Sequence, residues 1–361
     1  MKLPQMPEGL TPAWLTVVLR ERGLPAQAEI TAVAQEQLGD GTGMMSEIAR
    51  LRLTIKGEAP EFPRTLVAKF PSRNPVNRES AMGYRVYERE VRYFQELDAQ
   101  TDARSPQIYF VDREADNFLI LMADMGDYAV GDQATGGTLA QTELMVDALA
   151  RLHGGFWGQV DALDWVPGIA GSYHADTMLA LCELGWQNMT ERFPDQLPTA
   201  IAGQGAAFFA ALPGLQARMA EAPITLLHGD FRMENVLFGT QANHEPVVII
   251  DWQGPLLGKG MVDVALMLAQ STQSAVRSAH ERALIARYVG ELVKVGVSDY
   301  DQAQAWHDYR EAVLYNWVYV AVVSGTLDVH NERAFAWMSQ MVARQAVASE
   351  ELAVFELLAT P

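Results

Sequence analysis

The 361-residue sequence predicts an α+β protein with two lobes. The N-terminal lobe, residues 1–123, is expected to be a small antiparallel sheet with one helix, and the C-terminal lobe, residues 124–361, to be larger and mainly helical. Three observations predict this division. The chain exceeds the roughly 250–300 residues at which a single core usually stops growing. Strand patterns fill the first third of the chain, and apolar residues at helical spacing dominate from residue 138 onward.

The composition is that of an ordinary globular protein, with 49% hydrophobic and 20% charged residues. The formal net charge of −18 disfavours binding to nucleic acids or anionic membranes, because both would repel the chain, and it permits a cationic substrate. The single cysteine, Cys182, cannot form an intrachain disulfide, which fits a reducing cytoplasm. No segment approaches the roughly 20 apolar residues of a membrane span. We therefore expect a cytoplasmic protein, monomeric or weakly dimeric, with neither a nucleic-acid nor a membrane partner.

The N-terminal lobe contains a strand that follows a glycine-rich loop. Residues 46–57 alternate apolar and polar side chains, which predicts a half-buried strand. The loop before this strand has glycines at every second position, Gly39, Gly41 and Gly43. Such a loop can bring its backbone N–H groups close to a bound anion, although the same residues are at least as typical of a hairpin turn.

A lysine and a glutamate of this lobe form a candidate ion pair. Lys69 lies on the short apolar strand 64–70, where an exposed strand end would explain it as well. Glu90 lies within the apolar stripe of a helix predicted over residues 79–97, whereas its neighbour Arg89 falls towards the polar side. A carboxylate on a buried face needs a partner, because an unpaired buried charge is costly. Lys69 is the obvious partner.

The boundary between the lobes follows the apolar strand 117–122. This strand ends at residues 123–125, where a polar, glycine-bearing loop begins. Helical periodicity then starts after Thr138, which is predicted to be the N-cap of the first helix. His153 lies on that helix and is interpreted as a core histidine.

The segment 226–239 places a His-Gly-Asp turn between apolar runs, with Asn235 five residues after Asp230. Glycine, aspartate and asparagine all favour turns, so a surface turn would explain these residues alone. It would not explain Asp251, which ends a second apolar strand at 247–250. If the apolar run after Asn235 pairs with that strand as a hairpin, Asn235 and Asp251 come to its open end.

These residues are the parts that phosphoryl transfer needs. The oxygens of Asn235 and Asp251 suit Mg²⁺, which prefers oxygen ligands and is commonly shared with substrate phosphates. Asp230 would then be free to accept the proton of an attacking hydroxyl. Together with the glycine-rich loop, Lys69 and Glu90, they predict phosphoryl transfer from ATP.

Four motifs carry a resemblance to a known family. HGDFRMEN resembles a catalytic loop of the form H-G-D-x-x-x-x-N, and IDWQGPLLGKGMVDVALML resembles a metal-binding segment. FPRTLVAKF and EREVRYFQEL match a strand lysine and a helix glutamate. With these motifs in order over about residues 30–270, the chain resembles the aminoglycoside phosphotransferase/choline kinase superfamily, and most of all its ecdysteroid kinase-like branch and bacterial relatives. The resemblance implies a protein-kinase-like two-lobe fold, with ATP and Mg²⁺ as cofactors.

The resemblance also implies a role for each matching residue. Asp230 would be the catalytic base, and Asn235 and Asp251 the magnesium ligands. Lys69, positioned by Glu90, would hold the α- and β-phosphates. The backbone of Gly41 and Gly43 would contact phosphate, and the backbone from Ala123 to Met125 would contact adenine. His228 would bond the catalytic loop to neighbouring backbone, and Asp263 would accept hydrogen bonds from N–H groups of the loop.

The sequence departs from protein kinases after the metal-binding aspartate. Trp252 and Gln253 stand in place of Phe-Gly, and Asp263 follows Asp251 by only twelve residues, which leaves no room for an activation segment. Gly229 also stands where protein kinases have an arginine. A small-molecule hydroxyl acceptor therefore fits better than a protein. Aromatic residues at helical spacing are usually core, but one or two of five in segment 304–325 are expected to touch the acceptor: Trp306, Tyr309, Tyr315, Trp317 and Tyr319.

The sequence leaves the acceptor and one different class of function open. A hydroxyacyl-CoA kinase, similar to the kinase domains linked to acyl-CoA dehydrogenases, would be favoured by a basic patch for the CoA phosphates. An aminoglycoside kinase would be favoured by an acidic acceptor pocket. A catalytically silent nucleotide-binding regulatory protein is the third alternative. It is disfavoured because five candidate residues are all present: Lys69, Glu90, Asp230, Asn235 and Asp251.

Overall fold

The computed structural model describes residues 2–39, 45–327 and 332–359, which fall into two compact units. The first unit comprises Met1–Ala99, Ser105–Asp127 and Asp251–Gln253. The second comprises Gln100–Arg104, Tyr128–Ile250 and Gly254–Pro361. The predicted division after residue 123, with nucleotide binding before it and catalysis after it, remains a prediction.

The first unit is built on a five-stranded antiparallel sheet, as predicted. The strands lie in the order β1-β2-β3-β5-β4, with bounds Glu29–Leu38 (β1), Ser46–Lys56 (β2), Thr65–Pro71 (β3), Ile108–Glu114 (β4) and Asn117–Ala123 (β5). Side chains alternate between two cores, one on each face of the sheet. In β5, Leu119 and Leu121 belong to one core, whereas Phe118 and Ile120 belong to the other.

In the described part of this unit, three helices accompany the sheet where the sequence predicted one: α1 (Pro12–Arg20), α2 (Pro75–Gly83) and α3 (Val86–Arg92). Thr11 and Asn74 cap α1 and α2 with their side-chain oxygens, and a proline follows each cap. The helix predicted over 79–97 is divided at Arg85, whose φ of 54° interrupts the right-handed path. After this break, α3 continues into a π-helical turn over Tyr93–Leu97.

The second unit is mainly helical, as predicted. Its helices are α4 (Leu139–Phe156), α5 (Tyr173–Arg192), α6 (Thr199–Ala202), α7 (Gly205–Met219), α8 (Met261–Leu266), α9 (Ser274–Lys294), α10 (Gln302–Tyr315), α11 (Trp317–Thr326) and α12 (Glu332–Glu351). Thr138 caps α4 as predicted and forms a capping box with Gln141. None of the helices in the described ranges is long and apolar enough to cross a membrane.

Short strands in the second unit flank the segment 228–235. They are β6 (Ala129–Val130), β7 (Thr225–Leu227), β8 (Val236–Phe238), β9 (Val247–Ile249) and β10 (Leu256–Gly258). β8 and β9 form the predicted hairpin, in which Val236 pairs with Ile249. The N–H of Ile250 donates to the carbonyl of Asn235 at 3.0 Å, so the open end of the hairpin lies at these two residues.

Candidate active site

Lys69 lies in β3 on the sheet face opposite to Ala68 and Phe70, which pack in the core beside α1. Its Nζ atom is 2.7 Å from Oε1 of Glu90 and 2.6 Å from Oδ1 of Asp251. Lys69 is 4% exposed and Glu90 is 1% exposed. The predicted ion pair between Lys69 and Glu90 is therefore present, and Lys69 has a second carboxylate partner within the first unit.

One lysine shared by two carboxylates leaves this cluster with an excess of negative charge. Burial by itself lowers the pKa of Lys69, but the carboxylates of Asp251 and Glu90 outweigh burial and raise that pKa well above its ordinary value. Burial raises the pKa of Glu90 to about 7, with Lys69 opposing this rise and Asp251 adding to it. In the described part of the chain, no hydrogen-bond donor reaches Oε2 of Glu90. Lys69 therefore neutralises the charge of Glu90 only in part, because its ammonium group also forms an ion pair with Asp251.

The segment Asp251–Gln253 is held by the same helix that carries Glu90. Asp251 has a φ of 65°, in a left-handed region that aspartate tolerates better than most residues. Its Oδ2 accepts a hydrogen bond from Nε2 of Gln253 at 3.0 Å. Arg89 donates two hydrogen bonds, of 2.7 and 3.1 Å, to the carbonyl of Gln253. Arg89 is 5% exposed, so the prediction that it lies on the polar side of the helix is wrong.

Trp252 completes the contacts between this segment and the helix. Its fully buried ring stacks on Tyr93, with 3.8 Å between ring centroids and 6° between ring planes. Tyr93 begins the π-helical turn that continues α3. The helix thus bonds Gln253 through Arg89, and its π-helical continuation stacks on Trp252 through Tyr93. Glu90 on the same helix shares Lys69 with Asp251.

The segments predicted to meet the nucleotide are described in part. Gly41 and Gly43 lie outside the described residues, so their predicted phosphate contacts stay predictions. The N–H of Ala123 donates to the carbonyl of Gln107 at 2.8 Å, which engages this donor within the first unit. Met125 is half-buried. The adenine contact of this backbone also remains a prediction.

The His-Gly-Asp turn of the second unit is bonded to a buried carboxylate. The two oxygens of Asp263 accept the N–H groups of His228 and Gly229, at 2.7 and 3.1 Å. Nε2 of His228 is 3.1 Å from the carbonyl of Ile250, and Nδ1 accepts the N–H of Asp230 at 3.3 Å. Nδ1 acts as an acceptor, so the ring proton that bonds Ile250 is on Nε2. These are the contacts that the resemblance implied for His228 and Asp263.

Gly229 and His153 also contribute to this turn. Gly229 has a φ of 78°, and a Cβ added to it would lie 2.0 Å from the carbonyl oxygen of Gly254. Both the positive φ and the close carbonyl therefore exclude a side chain at this position. His153 is fully buried, 2.7 Å from the hydroxyl of Tyr288 and 3.4 Å from Oδ2 of Asp263, which confirms that it is a core histidine.

Asp230 and Asn235 are hydrogen-bonded to each other. Nδ2 of Asn235 donates to the carbonyl of Asp230 at 2.8 Å and to its Oδ2 at 3.0 Å. Oδ1 of Asp230 accepts a hydrogen bond from the hydroxyl of Tyr319. The side chain of Asp230 is 21% exposed, so a substrate can approach the carboxylate.

Arg232 is a neighbour of Asp230 that the sequence analysis missed. Its Nε is 3.4 Å from the carboxylate of Asp230, and its Nη1 is 2.6 Å from Oε2 of Glu234. Its guanidinium lies 4.9 Å from the ring centroid of Trp337, and Arg333 is 3.2 Å from Glu234. Arg232 occupies a variable position of the H-G-D-x-x-x-x-N motif, and two members of its cluster, Arg333 and Trp337, lie about a hundred residues later in the chain. No local pattern could therefore indicate the cluster.

The five aromatic residues considered for the acceptor have different surroundings. Tyr309 and Trp317 are fully buried and bonded to Glu281 and Ser349, at 3.1 and 2.9 Å, and Tyr315 is 4% exposed. The half-buried Trp306 lies 3.7 Å below the guanidinium of Arg282. Tyr319 alone among the five has a described hydrogen bond to Asp230. Most of these residues therefore belong to the core, as their spacing indicated.

Each unit contains one of the two predicted side chains with oxygen donors of the kind that Mg²⁺ prefers, Asp251 in the first unit and Asn235 in the second. Both N–H groups of the Asn235 amide bond Asp230, which leaves the amide oxygen for a cation. Oδ1 of Asp251 accepts a hydrogen bond from Nζ of Lys69, and Oδ2 accepts one from Nε2 of Gln253. Within the described ranges, no group of three or more His, Cys, Asp or Glu side chains could hold a metal by itself.

Comparison with known proteins agrees with the fold. The sequence model of the ecdysteroid kinase-like family matches residues 40–155 and 177–297, about two thirds of the chain. The GDP complex of wild-type aminoglycoside 2'-phosphotransferase-IIIa is similar in structure, with a TM-score of 0.50 and 14% identity over 96% of this chain and 98% of that chain. A microcompartment-associated aminopropanol kinase has a TM-score of 0.49 and 13% identity over 94% and 99% of the two chains. An ethanolamine kinase of Plasmodium vivax has a TM-score of 0.49 and 12% identity over 92% and 87%.

No curated protein matches the chain. The family match and the two units together establish the protein-kinase-like fold that the sequence predicted.

Proposed function

Because this chain belongs to the ecdysteroid kinase-like family of small-molecule kinases, we propose that it transfers the γ-phosphoryl group of ATP, with Mg²⁺, to a hydroxyl group of a small molecule. In this proposal, residues 1–123 bind the nucleotide, and residues 124–361 provide the catalytic base and bind the acceptor. A kinase of this class uses a nucleotide as its donor, and the proposal names ATP as that nucleotide and Mg²⁺ as its metal ion.

The observation that carries the proposal is the position of Lys69 between two carboxylates. Nζ of this buried lysine lies 2.7 Å from Glu90 and 2.6 Å from Asp251, so one cation is shared between the carboxylate of a helix and the carboxylate that we assign to the metal. Asp251 has to release part of this contact when a cation binds, and Lys69 is then available to phosphate oxygens. Glu90 keeps the ammonium group in place during this exchange. The cluster is therefore suited to alternate between an internal ion pair and a bound nucleotide.

The chemistry assigned to the chain is that of a positioned base and positioned charges. Lys69 binds the α- and β-phosphates, and the backbone of Gly41, Gly43 and Ala123–Met125 binds the rest of the nucleotide. When bound by Asn235 and Asp251, Mg²⁺ neutralises charge on the phosphates. Asp230 takes the proton of the acceptor hydroxyl as the acceptor oxygen bonds the γ-phosphorus and the bond to the β,γ-bridging oxygen breaks.

His228 and Asp263 have a supporting task in this proposal. Their buried hydrogen bonds hold the turn that carries Asp230, so the carboxylate keeps one orientation towards the acceptor. Fixed orientation matters here because positioning and electrostatic stabilisation provide most of the catalysis in phosphoryl transfer.

The experiment that tests the proposal is Asp230→Asn. The variant keeps the size of the side chain and removes the proton acceptor, so ATP affinity should stay nearly unchanged while turnover falls. Loss of a general base typically lowers turnover by about 10²–10⁴-fold, and a loose transition state places the effect near the lower end. Calorimetry at fixed Mg²⁺ gives the affinity, and phosphate transfer gives the turnover.

The acceptor for this assay comes from a thermal-shift panel of alcohols, CoA-linked hydroxyacids and aminoglycosides, measured with a non-hydrolysable ATP analogue. Asp161→Asn, an exposed aspartate of the second unit, is the control and should leave turnover unchanged. Equal turnover in the wild type and Asp230→Asn would remove Asp230 from its role. Good ATP binding without transfer to any acceptor would support the silent regulatory protein instead.

A further inference from the structure

The hydroxyl of Tyr319 occupies the carboxylate oxygen that the proposed reaction needs. Oδ2 of Asp230 accepts from Nδ2 of Asn235 at 3.0 Å, and Oδ1 accepts from the hydroxyl of Tyr319. Nε of Arg232 also donates its hydrogen bond to Oδ2, at 3.4 Å. A carboxylate oxygen has two lone pairs, so Oδ2 has a donor for each of them, and Oδ1 is the oxygen that remains for a substrate. The hydroxyl of Tyr319 takes one lone pair of Oδ1, and a substrate hydroxyl competes with it for this oxygen.

The position of Tyr319 is set by the packing of α11. At the start of this helix, Nδ2 of Asn316 donates to the carbonyl of Val262 at 3.0 Å. Near its end, α11 approaches α5 so closely that a Cβ on Gly325 would lie 2.0 Å from the carbonyl oxygen of Gly185. The helix is held at both ends, whereas the side chain of Tyr319 is only partly buried. The hydroxyl can therefore leave Asp230 by side-chain rotation, without movement of the helix.

Water is the competing nucleophile whenever a phosphotransferase holds its donor without an acceptor. In hydrolysis, a water oxygen bonds the γ-phosphorus, and the bond between that phosphorus and the β,γ-bridging oxygen breaks. One water proton passes to Asp230 and then to solvent, and the products are ADP and inorganic phosphate. A tyrosine hydroxyl on Oδ1 hinders this reaction, because it takes one of the two lone pairs that this oxygen offers to a water proton and makes the carboxylate a weaker base.

Building on the proposed function, we propose that Tyr319 is a positioning residue that keeps Asp230 from activating water until an acceptor hydroxyl displaces it. The acceptor's advantage over water is that its other contacts with the protein offset the loss of the Tyr319 hydrogen bond. Water has no such contacts. Tyr319 thereby couples use of ATP to the presence of the acceptor.

The test measures ADP release from MgATP in the absence of any acceptor, so it does not require the acceptor to be known. Tyr319→Phe keeps the ring and removes the hydroxyl, and it should raise the rate roughly tenfold, since a hydrogen bond to a charged group typically changes an equilibrium by about an order of magnitude or more. Asp230→Asn should lower the rate, and the double variant should be no faster than Asp230→Asn. Tyr300→Phe is the matched control, because it removes a buried hydroxyl bonded to Asp308 at 2.9 Å elsewhere in the second unit.

A gain that depends on Asp230 and is absent from Tyr300→Phe would support the proposal, because loss of stability alone does not accelerate a reaction. An unchanged or lower rate in Tyr319→Phe, with Asp230→Asn still slower than the wild type, would overturn the inference and leave the proposed function intact. Phosphotyrosine at position 319, found by mass spectrometry after incubation with MgATP, would also overturn it. If none of the proteins releases ADP, the inference is also overturned. If calorimetry shows no binding of MgATP, the proposed function fails as well.

Discussion

Lys69 and Glu90 form an ion pair 2.7 Å long in which both side chains are almost completely buried. A buried pair costs free energy to desolvate and is often less stabilising than apolar residues of the same size. Breaking it is a different matter, because the remaining charge is then buried alone. The pair is therefore expected to serve the position of the ammonium group more than the stability of the fold.

We predict that Lys69→Met weakens ATP binding and lowers turnover. The substitution keeps the length of the side chain but leaves Glu90 and Asp251 without their cation, so the unfolding free energy should also fall, by on the order of 3–5 kcal/mol for a broken buried pair. The control is Lys259→Met, because Lys259 is also buried and is paired with Asp308 at 2.9 Å. Calorimetry with MgATP should separate the two variants: both lose stability, and only Lys69→Met loses ATP affinity. Normal affinity and turnover in Lys69→Met would mean that Lys69 has no part in nucleotide binding.

The raised pKa of Glu90 predicts a pH dependence of stability. Glu90 has a pKa of about 7 in the folded protein and an ordinary value of 4.5, so between these pH values the folded chain binds more proton than the unfolded chain. The contribution of Glu90 to the unfolding free energy is therefore fully present below about pH 4.5 and is lost as the pH rises through about 7. For one proton the slope approaches about 1.4 kcal/mol per pH unit.

Denaturant unfolding of the wild type and Glu90→Gln, from pH 4.5 to pH 8, measures this dependence as a difference between the two proteins. Glutamine keeps the shape and cannot titrate, so the difference isolates Glu90 from other groups. The wild type should lose stability relative to Glu90→Gln as the pH rises. A constant difference across the range would mean that Glu90 is ionised throughout.

We predict that Asp251→Asn shifts the Mg²⁺ dependence of ATP binding to higher concentrations and weakens nucleotide affinity at the same time. Asparagine also tolerates a positive φ, so the backbone at 65° is retained while one charge is lost. Asp112→Asn, an exposed aspartate on β4, is the control for charge removal in the first unit. Titration of ATP binding at several Mg²⁺ concentrations decides the matter. An unchanged Mg²⁺ requirement would exclude Asp251 as a ligand.

Gly229→Ala should destabilise the protein and remove most of its activity. The added Cβ would meet the carbonyl oxygen of Gly254 at 2.0 Å, and backbone atoms cannot move aside as a flexible side chain can. Gly158→Ala is the matched control, since Gly158 has a φ of 65° and no atom within 4 Å of an added Cβ. The control should show the backbone cost alone, about 1–2 kcal/mol. Thermal unfolding and turnover of the two variants should therefore differ, and equal effects would show that the loop absorbs the contact.

Local patterns predicted the parts of the structure that depend on neighbouring residues. The alternation in β2, the hairpin of β8 and β9, and the cap at Thr138 each rest on residues a few positions apart, and each is present. The pairing of Lys69 with Glu90 was predictable for a different reason: a carboxylate within an apolar stripe requires a partner, and few were available. The catalytic, metal and nucleotide roles of these residues remain predictions.

Contacts between distant segments could not be predicted in this way. The helical pattern places Arg89 on the polar side of its helix. Its buried hydrogen-bond acceptor is the carbonyl of Gln253, which lies more than 160 residues later in the chain. The hydrogen bond from Tyr319 to Asp230 likewise joins residues about ninety positions apart. The break at Arg85 was missed because nothing in its side chain marks a left-handed residue.

The chain leaves the second unit at Asp251 and returns to it after Gln253, so the first unit is assembled from separate stretches of sequence. A crossover between two genes of this family near residue 127 would therefore not exchange that unit whole. The recombinant would combine Lys69 and Tyr93 from one parent with Asp251 and Trp252 from the other. Such a recombinant is expected to keep the contacts of this unit only where the two parents have compatible rings and carboxylates at these positions, so residues 251–253 should change together with the N-terminal third of the chain.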